Sequence, residues 1–428
     1  MRRLIAAVAA TSIACAGRPD VTLQPEEVLT AGATAGAAPM FAVAPSGART
    51  VAWVSAPDRG SDGRLFTSTA GAEPSELQDP LGGIEAHGES PPKLTYAPDG
   101  TLHALYVVGK VIQGRRFPFS TLRLVSSHDG GATWSAPATV TGDSVLGSRN
   151  FHAMHAAADG TIYVAWLESR DNRRSGTFIT RSTDGGATWS QAVRADSTES
   201  CPCCRTAIAS ATDGTLYLAW RTVMPGNVRD IVVAASKDHG ATWSPAQRVH
   251  ADGWVFDGCP HAGPALHVGA DGAVHVAWWT GKEGAAGVFY AKSTDGAQTF
   301  LAPVALGTAA FSRPAHVQLA LDGPSTVVAA WDDGRDTIPR ILVRVSRDGG
   351  ATFGEAVTAS DATVAASFPV LAVRDSAITV AWSQQSKAAM DHAANARPNM
   401  KDPHALMPLP VVGDQRVVVR RGKIQGRR

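Results

Sequence analysis

Two short segments carry residues whose types and spacing suit soft-metal or disulfide chemistry. One reads Cys201-Pro202-Cys203-Cys204-Arg205 and the other Cys259-Pro260-His261. Cys201 stands at the same offset before Trp220 as Cys259 does before Trp278. The segments therefore occupy equivalent places in successive repeat units and should be close in space. Thiolate sulfur and imidazole nitrogen suit copper(I) or zinc. The same thiols would favour a disulfide in an oxidising compartment, with Cys201 or Cys203 bridging to Cys259. A bridge between the adjacent Cys203 and Cys204 would be strained. A polar stretch further on holds Met390, His392, Met400, His404 and Met407. Thioethers have little core to fill there and suit copper, as a lid or a second site. The plainer reading of that stretch is a surface loop. His152, Met154 and His155 begin another strand expected nearby.

The elements that must position these residues follow from two repeats. Ser127–Trp134 reads SHDGGATW, and variants start at Ser182, Ser236, Ser293 and Ser346, at nearly equal intervals. The pattern suits a hairpin turn: Asp bonds backbone N–H groups, Gly permits positive φ, and the aromatic ring plugs the adjoining sheet. A second marker is an apolar strand ending at Trp53, Tyr106, Trp166, Trp220, Trp278, Trp331 and Trp382, often after an Asp-Gly turn such as Asp159-Gly160. Each unit reads as four short antiparallel strands, and radial repetition of such units makes an all-β propeller. The count of units is seven. Val21–Leu29 reads as an outermost strand and Arg416–Gly422 as a third strand, so the N-terminal strand should complete the last blade and close the ring.

Composition agrees with this architecture. The chain has 428 residues, of which 44% are hydrophobic and 18% charged, which excludes a disordered polyelectrolyte. Lys+Arg 39 against Asp+Glu 38 leaves no global charge to hold nucleic acid. Residues 1–14 read as an export signal: Arg2 and Arg3 precede a short apolar run, followed by Ser12-Ile13-Ala14-Cys15. Small residues before a cysteine resemble a bacterial lipobox, although Ser12 stands where Leu is preferred. Cys15 would then be a lipid anchor, and the only membrane attachment. The alternative is an ordinary cleaved signal. Residues 15–428 are read as a single propeller, exported to the periplasm or anchored at the outer membrane.

The octapeptides resemble the Asp boxes, or bacterial neuraminidase repeats, of the sialidase superfamily, over nearly the whole mature chain. Sialidases usually have six blades, so six is the alternative to seven. In such propellers the boxes lie on the lower face and ligands sit near the axis on the upper face. That face is formed by the lead-in to each innermost strand and by the loop after each Trp. The resemblance implies an arginine triad for a substrate carboxylate, an acid/base aspartate, and a tyrosine–glutamate nucleophile. Arg149, Arg205 and Arg313 are the candidate anion-binding arginines; Arg313-Pro314 is a shortened echo of the family's Arg-Ile-Pro segment, but sits in the sixth unit rather than near the N-terminus. Tyr96, Tyr106, Tyr163, Tyr217 and Tyr290 all fall within expected strands, and none is placed as a nucleophile. Glu168, Asp171, Asp332, Asp333 and Asp336 are acidic candidates, with pairing to Arg170 and Arg335 as solvated loop charges the plainer reading. The sequence thus points to an exported Asp-box propeller that binds a glycan, another small anionic ligand or a soft metal on its upper face. The enzyme alternative is an exo-α-sialidase-like glycosidase.

Overall fold

The computed structural model describes residues 19–30, 35–55, 63–86, 88–110, 119–141, 149–169, 175–308, 315–334, 338–386, 388 and 415–426. Seven antiparallel sheets of four strands form the ring, all-β as expected and with seven blades rather than six. Blade 1 comprises Ala37–Val43, Arg49–Ser55, Arg64–Thr69 and Ser75–Leu77. The innermost strands of blades 2 to 7 are Lys93–Tyr96, Arg149–Ala156, Ala207–Ser210, Ala265–Val268, Val317–Asp322 and Val364–Arg374. Ring closure follows the expectation from sequence. Val21–Leu23 pairs with the end of Arg416–Ile424, in the register Val21↔Ile424 to Leu23↔Gly422. Glu27–Val28 continues along the same strand. The outermost strand of blade 7 therefore comes from the N-terminal side of the chain.

Each second strand is buried on both faces, so it reads as a continuous apolar run that ends on a large ring. Trp166, Trp220, Trp278, Trp331 and Trp382 are all essentially inaccessible. They belong to clusters that seal neighbouring blades, as where Trp278, Leu266 and Val274 of blade 5 meet Tyr217, Ala219 and Val233 of blade 4. The octapeptides form the turns between third and fourth strands. In the first, Thr133 N and Oγ1 donate to the Asp129 carboxylate at 2.9 and 2.6 Å, and Gly131 N donates to Ser127 Oγ at 2.7 Å. Trp134 packs into the cluster between blades 1 and 2. The box glycine has φ near +92° at Gly131, Gly186 and Gly350; Ala297 holds the same place at φ +64°, a strained conformation for a residue with a Cβ.

Candidate functional site

At the upper end of blade 4 the chain leaves its ladder. Glu199–Ser200 pairs with Thr222–Val223, and Cys201 N donates to Arg221 O at 2.8 Å. The strand then detours through Cys201–Thr206 before pairing resumes at Ala207 opposite Ala219. Thr206 N donates to Phe151 O on blade 3 at 3.0 Å, which anchors the return. The detour places three thiols inside the protein. Cys201, Cys203 and Cys204 are buried, and Phe151, Val223 and Cys259 pack on them. On blade 5, Cys259-Pro260-His261 precedes the innermost strand, with His261 at φ +50° and its ring 6.0 Å from that of Phe151.

The two segments converge as their equivalent positions require. Cys201 Sγ lies 3.8 Å from Cys203 Sγ and 3.3 Å from Cys204 Sγ. The donor atoms of Cys201, Cys203 and Cys204 lie within 4.8 Å of one another, and so do those of Cys203, Cys259 and His261. These four cysteines are not bridged to one another. Two buried arginines support this arrangement. Arg229 Nη1 reaches Cys201 Sγ at 3.3 Å. Arg221 donates to Ala262 O and Trp279 O at 2.9 and 2.7 Å, tying blade 4 to the residue after His261. Burial opposes the Cys201 thiolate. Hydrogen bonds from Cys203 and Cys204 and the charges of Arg229 and Arg221 outweigh it and hold this thiol well below the usual range. Burial pushes Cys203 and Cys204 up.

A second polar cluster, not foreseen from the sequence, links several blades across the upper part of the ring. Glu89, ahead of blade 2, is fully buried. Its Oε2 accepts from Arg205 N at 3.3 Å and Gly263 N at 3.2 Å, and its Oε1 lies 3.5 Å from Arg205 Nη1 and 3.6 Å from His316 Nε2. Arg205 Nη2 also donates to Val317 O at 2.8 Å, so blade 4 reaches blade 6. His316 Nδ1 meets Asp332 Oδ2 at 2.6 Å, and His316 Nε2 meets His261 O at 3.0 Å. Both ring nitrogens face oxygen acceptors. Burial opposes the imidazolium, but Asp332 and Glu89 outweigh it and raise the His316 pKa. This cluster touches the thiol site through the Cys204–Arg205 peptide and the His261 carbonyl.

The remaining sequence candidates fall as follows. Arg149 is buried in a pair with Glu168, Nε to Oε2 at 3.3 Å, and its Nη1 donates to Thr141 Oγ1 at 2.5 Å. Arg149 and Arg205 are thus each engaged by a carboxylate of the chain itself. Glu168 and Asp332, read from sequence as solvated loop charges, are instead buried at 1% and 4% exposure, paired with Arg149 and His316. Tyr106 is sealed between blades and donates to Asp79 Oδ2 at 2.9 Å. Tyr290 meets His275 Nδ1 at 2.6 Å, and Tyr163 meets His239 Nδ1 at 3.0 Å. Phe151 sits at a bulge between Asn150 and Ala153, with His152 buried and Met154 partly buried beside it. Arg313, Met390, His392, Met400, His404 and Met407 lie outside the described residues, as do Cys15, Arg170, Asp171, Arg335 and Asp336.

The profile of the BNR repeat-like domain matches residues 83–222 and 160–407. The chain belongs to that family, and the resemblance drawn from its octapeptides holds for family and fold. A Dyadobacter fermentans protein of unknown function superposes with a TM-score of 0.58 at 14% identity, covering 95% of this chain and 100% of that one. A polysaccharide lyase, an ulvan lyase, gives 0.56 at 13% identity over 82% and 92% of the two chains. The Hadza microbial sialidase Hz136 gives 0.48 at 18% identity over 78% and 73%. At these identities the likeness is one of fold. No curated protein sequence matches the chain.

Proposed function

We propose that this BNR propeller is an exported protein, lipid-anchored at Cys15, that binds a soft metal ion, copper(I) or zinc, on its upper face through Cys201, Cys203, Cys204, Cys259 and His261. One observation carries the reading: segments from two neighbouring blades bring the donors of Cys203, Cys259 and His261 within 4.8 Å. Thiolates at a metal–sulfur distance of about 2.3 Å stand roughly 4 Å apart around one ion, which matches these spacings. Arg221 and Arg229 offset thiolate charge that burial would otherwise make costly. A disulfide to Cys259 would use two of the four thiols. The Met390–Met407 stretch supplies further soft donors in sequence and would act as a lid or a second copper site. The sialidase-type alternative is weaker, because Arg149 and Arg205 are already occupied by Glu168 and Glu89. Elemental analysis of the native protein, with thiol counting after denaturation and metal removal, tests the proposal. Stoichiometric copper or zinc with two or more free thiols supports it. Absence of metal together with a Cys259 disulfide in the peptide map leaves a cross-blade staple instead.

A further inference from the structure

The donor set divides into two threes rather than one four. Cys201, Cys203 and Cys204 form one group and Cys203, Cys259 and His261 the other, so Cys203 belongs to both. A single tetrahedral ion would need four donors mutually about 4 Å apart. Two three-coordinate ions need only the two triads that are present, with one thiolate in common. We infer that the site is built for a pair of copper(I) ions bridged by the Cys203 sulfur, an inference that rests on the metal-binding reading above.

For such a pair, charge selects monovalent over divalent ions. Four thiolates carry four negative charges, and Arg221 and Arg229 supply two positive charges beside them. Two monovalent ions bring the buried assembly to neutrality. Two divalent ions would leave an excess of two positive charges in a region where Cys201, Cys203 and Cys204 are nearly inaccessible, which is strongly disfavoured. Soft thiolate donors and low coordination number both suit copper(I). Loading releases one proton per thiol ionised and changes no oxidation state, so no redox partner is needed. The two places differ in accessibility. The triad on blade 4 is buried, whereas Cys259 and His261 are partly exposed, so the blade 5 place is the exchangeable one.

The test is an anaerobic titration of the full chain, reduced, with copper(I) delivered from its bicinchoninate complex, and copper counted per chain. Cys259→Ser is expected to lower the count by one and Cys203→Ser by two, whatever the Met390–Met407 stretch holds. His261→Gln should weaken the second copper by at least tenfold and leave the first unchanged. Circular dichroism of the metal-free variants checks that each is folded, and the wild-type count needs no variant. Equal losses of one copper in the Cys203 and Cys259 variants would show one shared ion, overturning the pair while leaving metal binding intact. No loss in either variant would place the copper elsewhere. No copper bound at all would remove both readings.

Discussion

Lys93 opens the innermost strand of blade 2 and is only 7% exposed. Burial pushes its ammonium down from 10.5 to about 7; the charge of Arg205 acts in the same direction and Glu89 opposes. An amine whose folded pKa lies below its unfolded value binds fewer protons when folded, so stability rises with pH between about 7 and 10.5. The displacement corresponds to about 5 kcal/mol against folding below pH 6, about 4 at pH 7, and under ~1 at pH 10.5. Lys93→Met keeps the apolar stem and removes the titrating group. It should therefore be more stable than wild type at pH 6 to 7, by up to about 4–5 kcal/mol, and the advantage should shrink steadily towards pH 10. Urea unfolding of both proteins, metal-free and reduced, at four pH values measures this. The difference between the two curves reports Lys93 together with the relief of His152, whose imidazolium the Lys93 charge disfavours. A variant that is less stable than wild type at pH 7, by an amount independent of pH, would show that Lys93 forms a net stabilising ion pair and would refute the reasoning.

Other outcomes follow from the boxes and the Glu89 cluster. Asp184→Ala removes the acceptor of Thr188 N and Oγ1, so it should lower the unfolding midpoint while leaving copper affinity unchanged; loss of affinity at unchanged stability would mean the boxes face the ligand. Hydrogen bonds from Thr and Ser hold Asp184, Asp238, Asp295 and Asp348 down near 2. Because these values are depressed, the stability they confer is complete above about pH 4 and is lost as pH falls towards 2, a window that acid-unfolding curves would locate. Glu89→Gln leaves Arg205 and His316 buried beside an uncharged amide and should cost about 3–5 kcal/mol in urea unfolding; a cost under about 1 would mean that solvent screens the cluster.

The ring and its closure were legible because their signals are local and repeated. A box recurring at nearly equal intervals and a ring-ended apolar strand in each unit fix the blade. The thiol cluster was legible for the same reason, since equal offsets from Trp220 and Trp278 become neighbouring positions once the blades are adjacent. The Glu89 cluster was not. Glu89 lies in a connecting segment and meets partners 116 and 174 residues away, which only the closed ring brings together. Part of it could still have been read. The start of an innermost strand lies opposite the end of the second, and that rule alone pairs Arg149 with Glu168. It also brings His316 to Asp332, turning two supposed loop charges into buried partners. The bulges at Phe151 and Phe368 were also missed, because neither is glycine. Their positive φ is held by side chains of other blades: Phe151 N donates to Ser90 Oγ at 3.1 Å, and Phe368 N donates to Asp332 Oδ2 at 3.0 Å.

The most direct measurement is anomalous diffraction from crystals of the reduced protein loaded anaerobically with copper(I), collected on either side of the copper edge. The cluster geometry predicts anomalous peaks about 2.3 Å from Cys203 Sγ, one shared with Cys201 and Cys204 and one with Cys259 and His261. Density for a Cys259 disulfide, with no anomalous peak near Cys203, would contradict the account.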